Sequence, residues 1–168
     1  MKVRLMMEEL NHKKTIVLGC GNPLFGDDGF GPAVIERLEI QGGIPETVAL
    51  LDVGTGIKDF LFDLLLSPVK PERIFIIDTV CLPGHEPGEV FEVEVSSLEE
   101  GNSGGGGFHQ FPSLRQLKDW GSLPGVELRL VAVQTGRIPD AVRPGLSATV
   151  RKAVERVCDW LMGEIGRT

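Results

Sequence analysis

No apolar stretch in this chain approaches the roughly 20 residues needed to span a bilayer, which argues against a membrane protein. No cluster of lysine and arginine is present either, and the formal net charge is −7 with a pI near 5.0. A binder of the phosphate backbone carries a basic face, so nucleic acid and anionic membranes are disfavoured as partners, while a basic partner is permitted. Cysteine is scarce: Cys20, Cys81 and Cys158 are widely separated and form no CxxC pair, which removes a cysteine zinc cage and a dithiol redox motif. The chain has no GxSxG elbow, so a serine hydrolase of that type is disfavoured. It also lacks an internal repeat and a linker long enough to divide it. The segment Met1 to Lys14 is polar and mixed in charge rather than leader-like, so a cytoplasmic protein is expected.

What is present is ordinary globular composition, 42% hydrophobic and 24% charged over 168 residues. One domain spanning 1–168 is expected, with 1–14 as a polar N-terminal extension. Thr15 to Cys20 is a compact apolar run ending in Gly19, Gly21 and Asn22, the pattern of a buried parallel strand followed by a turn. Phe30, Val34, Ile35 and Leu38 then recur at helical spacing. Thr47 to Val53 reads as a second strand. The helix after it has Ile57, Phe60, Leu61, Leu64 and Leu65 on its inner face and Pro68 beyond its end. Arg73 to Thr79 reads as a third strand ending on Asp78, and Val126 to Gln134 as a fifth. Between them, the acidic–apolar alternation of Glu89 to Val95 predicts a strand with one wet face at or near a sheet edge. Ser147 is placed to cap a final helix striped with Val150, Val154, Val157 and Leu161. Alternating strands and helices predict a three-layer α/β/α fold with a mostly parallel, twisted sheet of about five strands.

Sites in open α/β sheets gather outside the carboxyl ends of the strands. Asp27 and Asp28 follow the first strand, Asp52 and Asp78 end the second and third, and His109 follows the fourth after the glycine run Gly104 to Gly107. By composition alone that run reads as a loose surface loop. A dinucleotide fingerprint starts with Gly19-x-Gly21 but fails at Leu24, where its third glycine belongs, and Pro23 interrupts the turn. Two carboxylates and an imidazole would instead make a three-ligand set with open positions, suited to nickel, zinc, iron or manganese. Spacing alone does not separate such ligands from structural acids. Cys20 and Cys158 read as buried small hydrophobes and Cys81 as a loop residue. Asp27 reads as orienting the turn or capping the helix near Gly29, Asp52 as having a supporting role near the sheet edge, His12 and His85 as solvent-exposed, and Glu89 as a surface strand residue.

The run Leu18-Gly19-Cys20-Gly21-Asn22-Pro23-Leu24-Phe25-Gly26-Asp27-Asp28-Gly29-Phe30-Gly31 resembles the opening signature of the hydrogenase maturation endopeptidases. Asp52-x-Gly54-Thr55, Ile76-Ile77-Asp78, Pro87-Gly88-Glu89-Val90 and His109-Gln110 match that family's later blocks in order. Asp52 to Ile57, Phe108 to Pro112 and Arg143 to Ser147 resemble the branch that serves deazaflavin-reducing hydrogenases of methanogenic archaea. The resemblance implies an aspartyl-type endopeptidase that clips a C-terminal extension from the large subunit of a nickel–iron hydrogenase after nickel insertion. It places the family's metal-contacting positions on Asp28, Asp78 and His109, with the nickel ion carried by the substrate subunit. It also recasts the glycine run as a hinge for the loop carrying His109. No nucleophile is evident. The trio would act through a metal-activated water or a metal-polarised carbonyl, or only read nickel as a checkpoint. The alternative is a non-proteolytic nickel-binding assembly chaperone of the same fold.

Overall fold

The computed structural model describes residues 8–93 and 114–166. Strand β1 (Thr15–Cys20) is buried at every position, as an uninterrupted apolar run in a sheet covered on both faces requires. It is followed by a single 3-10 turn (Gly26–Gly29), helix α1 (Phe30–Gln41), β2 (Val48–Gly54), α2 (Ile57–Leu66), β3 (Arg73–Val80), β4 (Val90–Val93), α3 (Leu114–Gly121), β5 (Glu127–Gln134) and α4 (Ala148–Ile165). The five strands lie in the order β2-β1-β3-β5-β4. All neighbours are parallel except β4, which runs antiparallel to β5 at one edge. The edge placement expected for the alternating acidic–apolar strand therefore holds for Val90–Val93, and its continuation to Val95 lies outside the described residues.

Each face of the sheet has its own apolar layer. Val17, Phe75, Ile77, Val131 and Val133 pack with α1 and α4, whose Phe30, Val34, Leu38, Val154, Val157 and Leu161 are buried. Ile16, Leu18, Ile74, Ile76 and Leu130 pack on the other face with Phe60, Leu61 and Leu64 of α2 and Leu117 and Trp120 of α3. Alternation of side chains along each strand produces this division. The expected stripes of α1, α2 and α4 are the faces that are buried, and the Ser147 hydroxyl accepts the Val150 N–H at 3.4 Å as the cap of α4. Helix α3 was not anticipated from the sequence. It spans only eight residues, too short a stretch for its pattern to stand out, and among its described side chains Leu117 and Trp120 are buried.

Helix α1 crosses the sheet at unusually close range because glycines face each other there. A Cβ on Gly19 would stand 2.5 Å from the Gly31 carbonyl oxygen. A Cβ on Gly31 would stand 2.3 Å from the backbone N and O of Cys20 and 2.6 Å from the Ile77 oxygen. Those neighbours are strand backbone and cannot give way. Gly31→Ala should therefore cost about 1–3 kcal/mol or more in chemical denaturation, whereas Gly163→Ala on α4, where a Cβ meets nothing within 4 Å, should stabilise by up to about 1 kcal/mol. Equal effects of the two changes would contradict this packing.

Candidate functional site

Strand β1 has β2 on one side and β3 on the other, so the chain leaves the sheet in opposite directions around it. Such a switch point opens a crevice beyond the carboxyl ends of the central strands. The turn after β1 lies at those carboxyl ends. Gly21, at φ 120°, lets the chain fold back so closely that a Cβ would sit 1.9 Å from the Asp28 carbonyl oxygen. The Asn22 N–H then donates to Asp28 Oδ2 at 2.8 Å, and the Asn22 side chain accepts the Leu24 N–H at 3.1 Å. Asp28 is 3% exposed, and Asp78, at the end of β3, is 1% exposed.

One residue joins the two acids. The backbone N–H of Thr79 donates to Asp78 Oδ1 at 2.7 Å, and its hydroxyl donates to Asp28 Oδ1 at 3.4 Å. Asp78 Oδ2 is buried and has no hydrogen-bond partner among the described residues. Burial raises the Asp78 carboxyl to about 7; the Thr79 N–H opposes that shift and the neighbouring Asp28 charge adds to it. A buried acid half-ionised near neutrality, with one oxygen unsatisfied, can accept a cation or exchange a proton with a bound group. Cys20 lies close enough to feel both acids and Asp52. Burial first, then those charges, push its thiol well above the ordinary range, which keeps it a neutral filler rather than a nucleophile.

The other sequence candidates separate clearly. Asp52 is exposed on the edge strand β2 and closes its own turn by accepting the Gly54 N–H at 2.9 Å. Asp27 does orient the turn, but it does not cap α1, whose first turn has no side-chain cap. Its Oδ1 instead accepts the Ser147 N–H at 2.6 Å, tying the turn to the start of α4. His12 and His85 are exposed, and His85 Nδ1 lies 2.8 Å from exposed Glu89. Cys158 is buried and Cys81 half-buried. His109, with Phe108 and the glycine run, lies outside the described residues. Among the described residues no group of three or more His, Cys, Asp or Glu side chains forms a metal cage. The two acids are brought together and the third expected ligand is not part of the described site. Thr79 and Asn22 were missed in the sequence, where they pass as a strand residue and a turn former. The dinucleotide reading fails on geometry as well, because the Asp28 carboxylate already takes the Asn22 N–H that a phosphate would need.

Residues 32–164 match the hydrogenase maturation protease family, HycI. A Methanocaldococcus jannaschii protein named as a candidate hydrogenase maturation protease is 32% identical over 158 residues, covering 93% of this chain and 99% of that one. The coenzyme F420 hydrogenase subunit delta of Methanothermobacter thermautotrophicus is 31% identical over 155 residues, covering 90% and 94%. The hydrogenase maturating endopeptidase HybD from Escherichia coli superposes with a TM-score of 0.68 at 25% identity, covering 92% of this chain and 93% of that one. The sheet and its helices are thus those of a hydrogenase-maturing peptide hydrolase. The chain belongs to the hydrogenase maturation protease family.

The Asp78 shift has a measurable consequence. Below about pH 4 the carboxyl is protonated in both the folded and the unfolded chain and has no effect. Between pH 4 and 7 the folded protein keeps a proton that the unfolded chain releases, so stability falls as pH rises, and above 7 the loss is complete. Asp78→Asn removes that dependence while retaining an oxygen for the Thr79 N–H. Urea denaturation across pH 4–8 should show the variant gaining on the wild type by at most about 4 kcal/mol. Parallel pH profiles would mean that Asp78 is not held in a desolvated place.

Proposed function

We propose that this chain removes a C-terminal extension from the large subunit of a nickel–iron hydrogenase after nickel insertion, reading the nickel that the substrate brings. The observation that carries the proposal is the buried Asp28–Asp78 pair joined by Thr79, with Asp78 Oδ2 left without a partner among the described residues. Two carboxylates in a desolvated crevice are poorly balanced without a cation, and a divalent ion arriving with the substrate neutralises both. In this reading Asp28, Asp78 and His109 contact that ion as protein ligands. Thr79 is a positioning residue that fixes the separation of the acids. The nickel belongs to the substrate, so the protein needs no resident ion between turnovers.

Several features support the setting. No helix among the described residues is long and apolar enough to cross a membrane, and we place the reaction in the cytoplasm. The likeness to the coenzyme F420 hydrogenase delta subunit supports a deazaflavin-reducing hydrogenase as the one served. The acidic balance of the chain makes nucleic acid an unsuitable partner.

The test is a mass measurement on purified precursor subunit, loaded with nickel or nickel-free. Loss of the extension only from the loaded form supports the proposal. Asp28→Asn, Asp78→Asn and His109→Ala should each reduce cleavage by about 100-fold or more. Thr79→Val should lower kcat with KM retained, and Thr79→Ser should restore much of it. Cleavage indifferent to nickel would contradict metal reading, and nickel-dependent association without cleavage would point to an assembly chaperone.

A further inference from the structure

We infer that the rim formed by Leu24, Val142 and Arg143 is the surface on which the folded body of the substrate subunit docks, an inference that rests on the proposed reaction. Leu24 is 49% exposed and Val142 is 65% exposed. Single exposed apolar side chains need no explanation. These two are set differently, because a parallel bridge between Phe25 and Arg143 brings their loops side by side. The Arg143 N–H donates to the Leu24 oxygen at 2.8 Å, and the Gly26 N–H donates to the Arg143 oxygen at 2.9 Å. Gly26, at φ 62°, sits so close to Pro139 that a Cβ would stand 3.2 Å from its ring. The Asp27–Ser147 bond of 2.6 Å then anchors the same turn to α4. Leu24 and Val142 are therefore presented on backbone already fixed, which lowers the ordering cost of association.

The rim is also continuous with the acids. Asn22 accepts the Leu24 N–H through its side chain and donates its own N–H to Asp28, so two hydrogen bonds link the rim to the site. The exposed Leu24 thus stands on the same turn whose backbone holds the Asp28 carboxylate. Arg143 is exposed and has no ion pair among the described residues, which adds a cation to a chain of net charge −7. The matching patch on the substrate is apolar with an acidic neighbour. Phe62 and Leu66 on α2 are also exposed, at 55% and 68%, but no hydrogen bond among the described residues couples them to the acids.

The experiment is steady-state cleavage of nickel-loaded precursor by Leu24→Asp, Val142→Asp and Arg143→Glu, with Phe62→Asp as the comparison and milder Leu24→Ala and Val142→Ser as folding-safe versions. The Asp and Glu variants should raise KM on the order of tenfold or more with kcat held within about twofold; the milder pair should raise it less, and Phe62→Asp not at all. Unchanged KM in the rim variants, or a fall in kcat alone, overturns the rim while leaving the cleavage reaction standing. Absence of cleavage by the wild-type protein sinks the reaction itself, and the two failures are therefore distinct.

Discussion

Two carboxyl groups buried within reach of one threonine are the constraint on which this structure turns. Taking both acids out of water is unfavourable, and placing them beside each other adds repulsion. The fold offsets this unequally. Asp28 receives the Asn22 N–H and the Thr79 hydroxyl, whereas Asp78 receives the Thr79 N–H on one oxygen and leaves the other buried without a bond among the described residues. The imbalance appears as the rise of Asp78 to about 7. A protein needing only a stable crevice would favour an amide or an apolar side chain there. Retaining the acid is a cost to stability that makes sense when a cation arrives with the substrate.

The glycines around the site serve that arrangement. Gly19 and Gly31 let α1 lie against β1 and β3, and Gly21 lets the turn fold onto the Asp28 backbone. Together they bring the end of β1 and the start of α1 close enough for Asp28 to approach the end of β3. The helix packing and the acid pair are consequently one construction, and a side chain at Gly31 would disturb both. The same turn extends outward to Leu24, so the chemistry and the docking rim share a backbone.

Much of this was legible in the sequence, for identifiable reasons. The strands built on continuous apolar runs, Ile16–Leu18 in β1 and Ile74–Ile77 in β3, are buried on both faces, and the helices with long apolar stripes pack as those stripes require. Asp28 and Asp78 stood out at strand ends, and the motif resemblance singled them out from Asp27 and Asp52. Helix α3 escaped because its amphipathic pattern spans only eight residues. Thr79 escaped because its role exists only in three dimensions, where its hydroxyl meets a carboxylate 51 residues away in sequence. Asp27 was legible only in half: it orients the turn as expected, but the cap on α1 that its position also suggested does not form, and its partner is Ser147, 120 residues on. Local propensity is readable from neighbours, whereas tertiary hydrogen bonds are not.

The central claim is that Asp28 and Asp78 complete the coordination of an ion the substrate brings. X-ray absorption at the nickel edge, on the loaded precursor subunit alone and in complex with a cleavage-impaired His109→Ala protease, addresses it directly. The account predicts additional oxygen ligands on nickel in the complex, absent when Asp28→Asn and Asp78→Asn are both introduced. A nickel environment unchanged by the protease, in a complex shown to be fully formed, would contradict it.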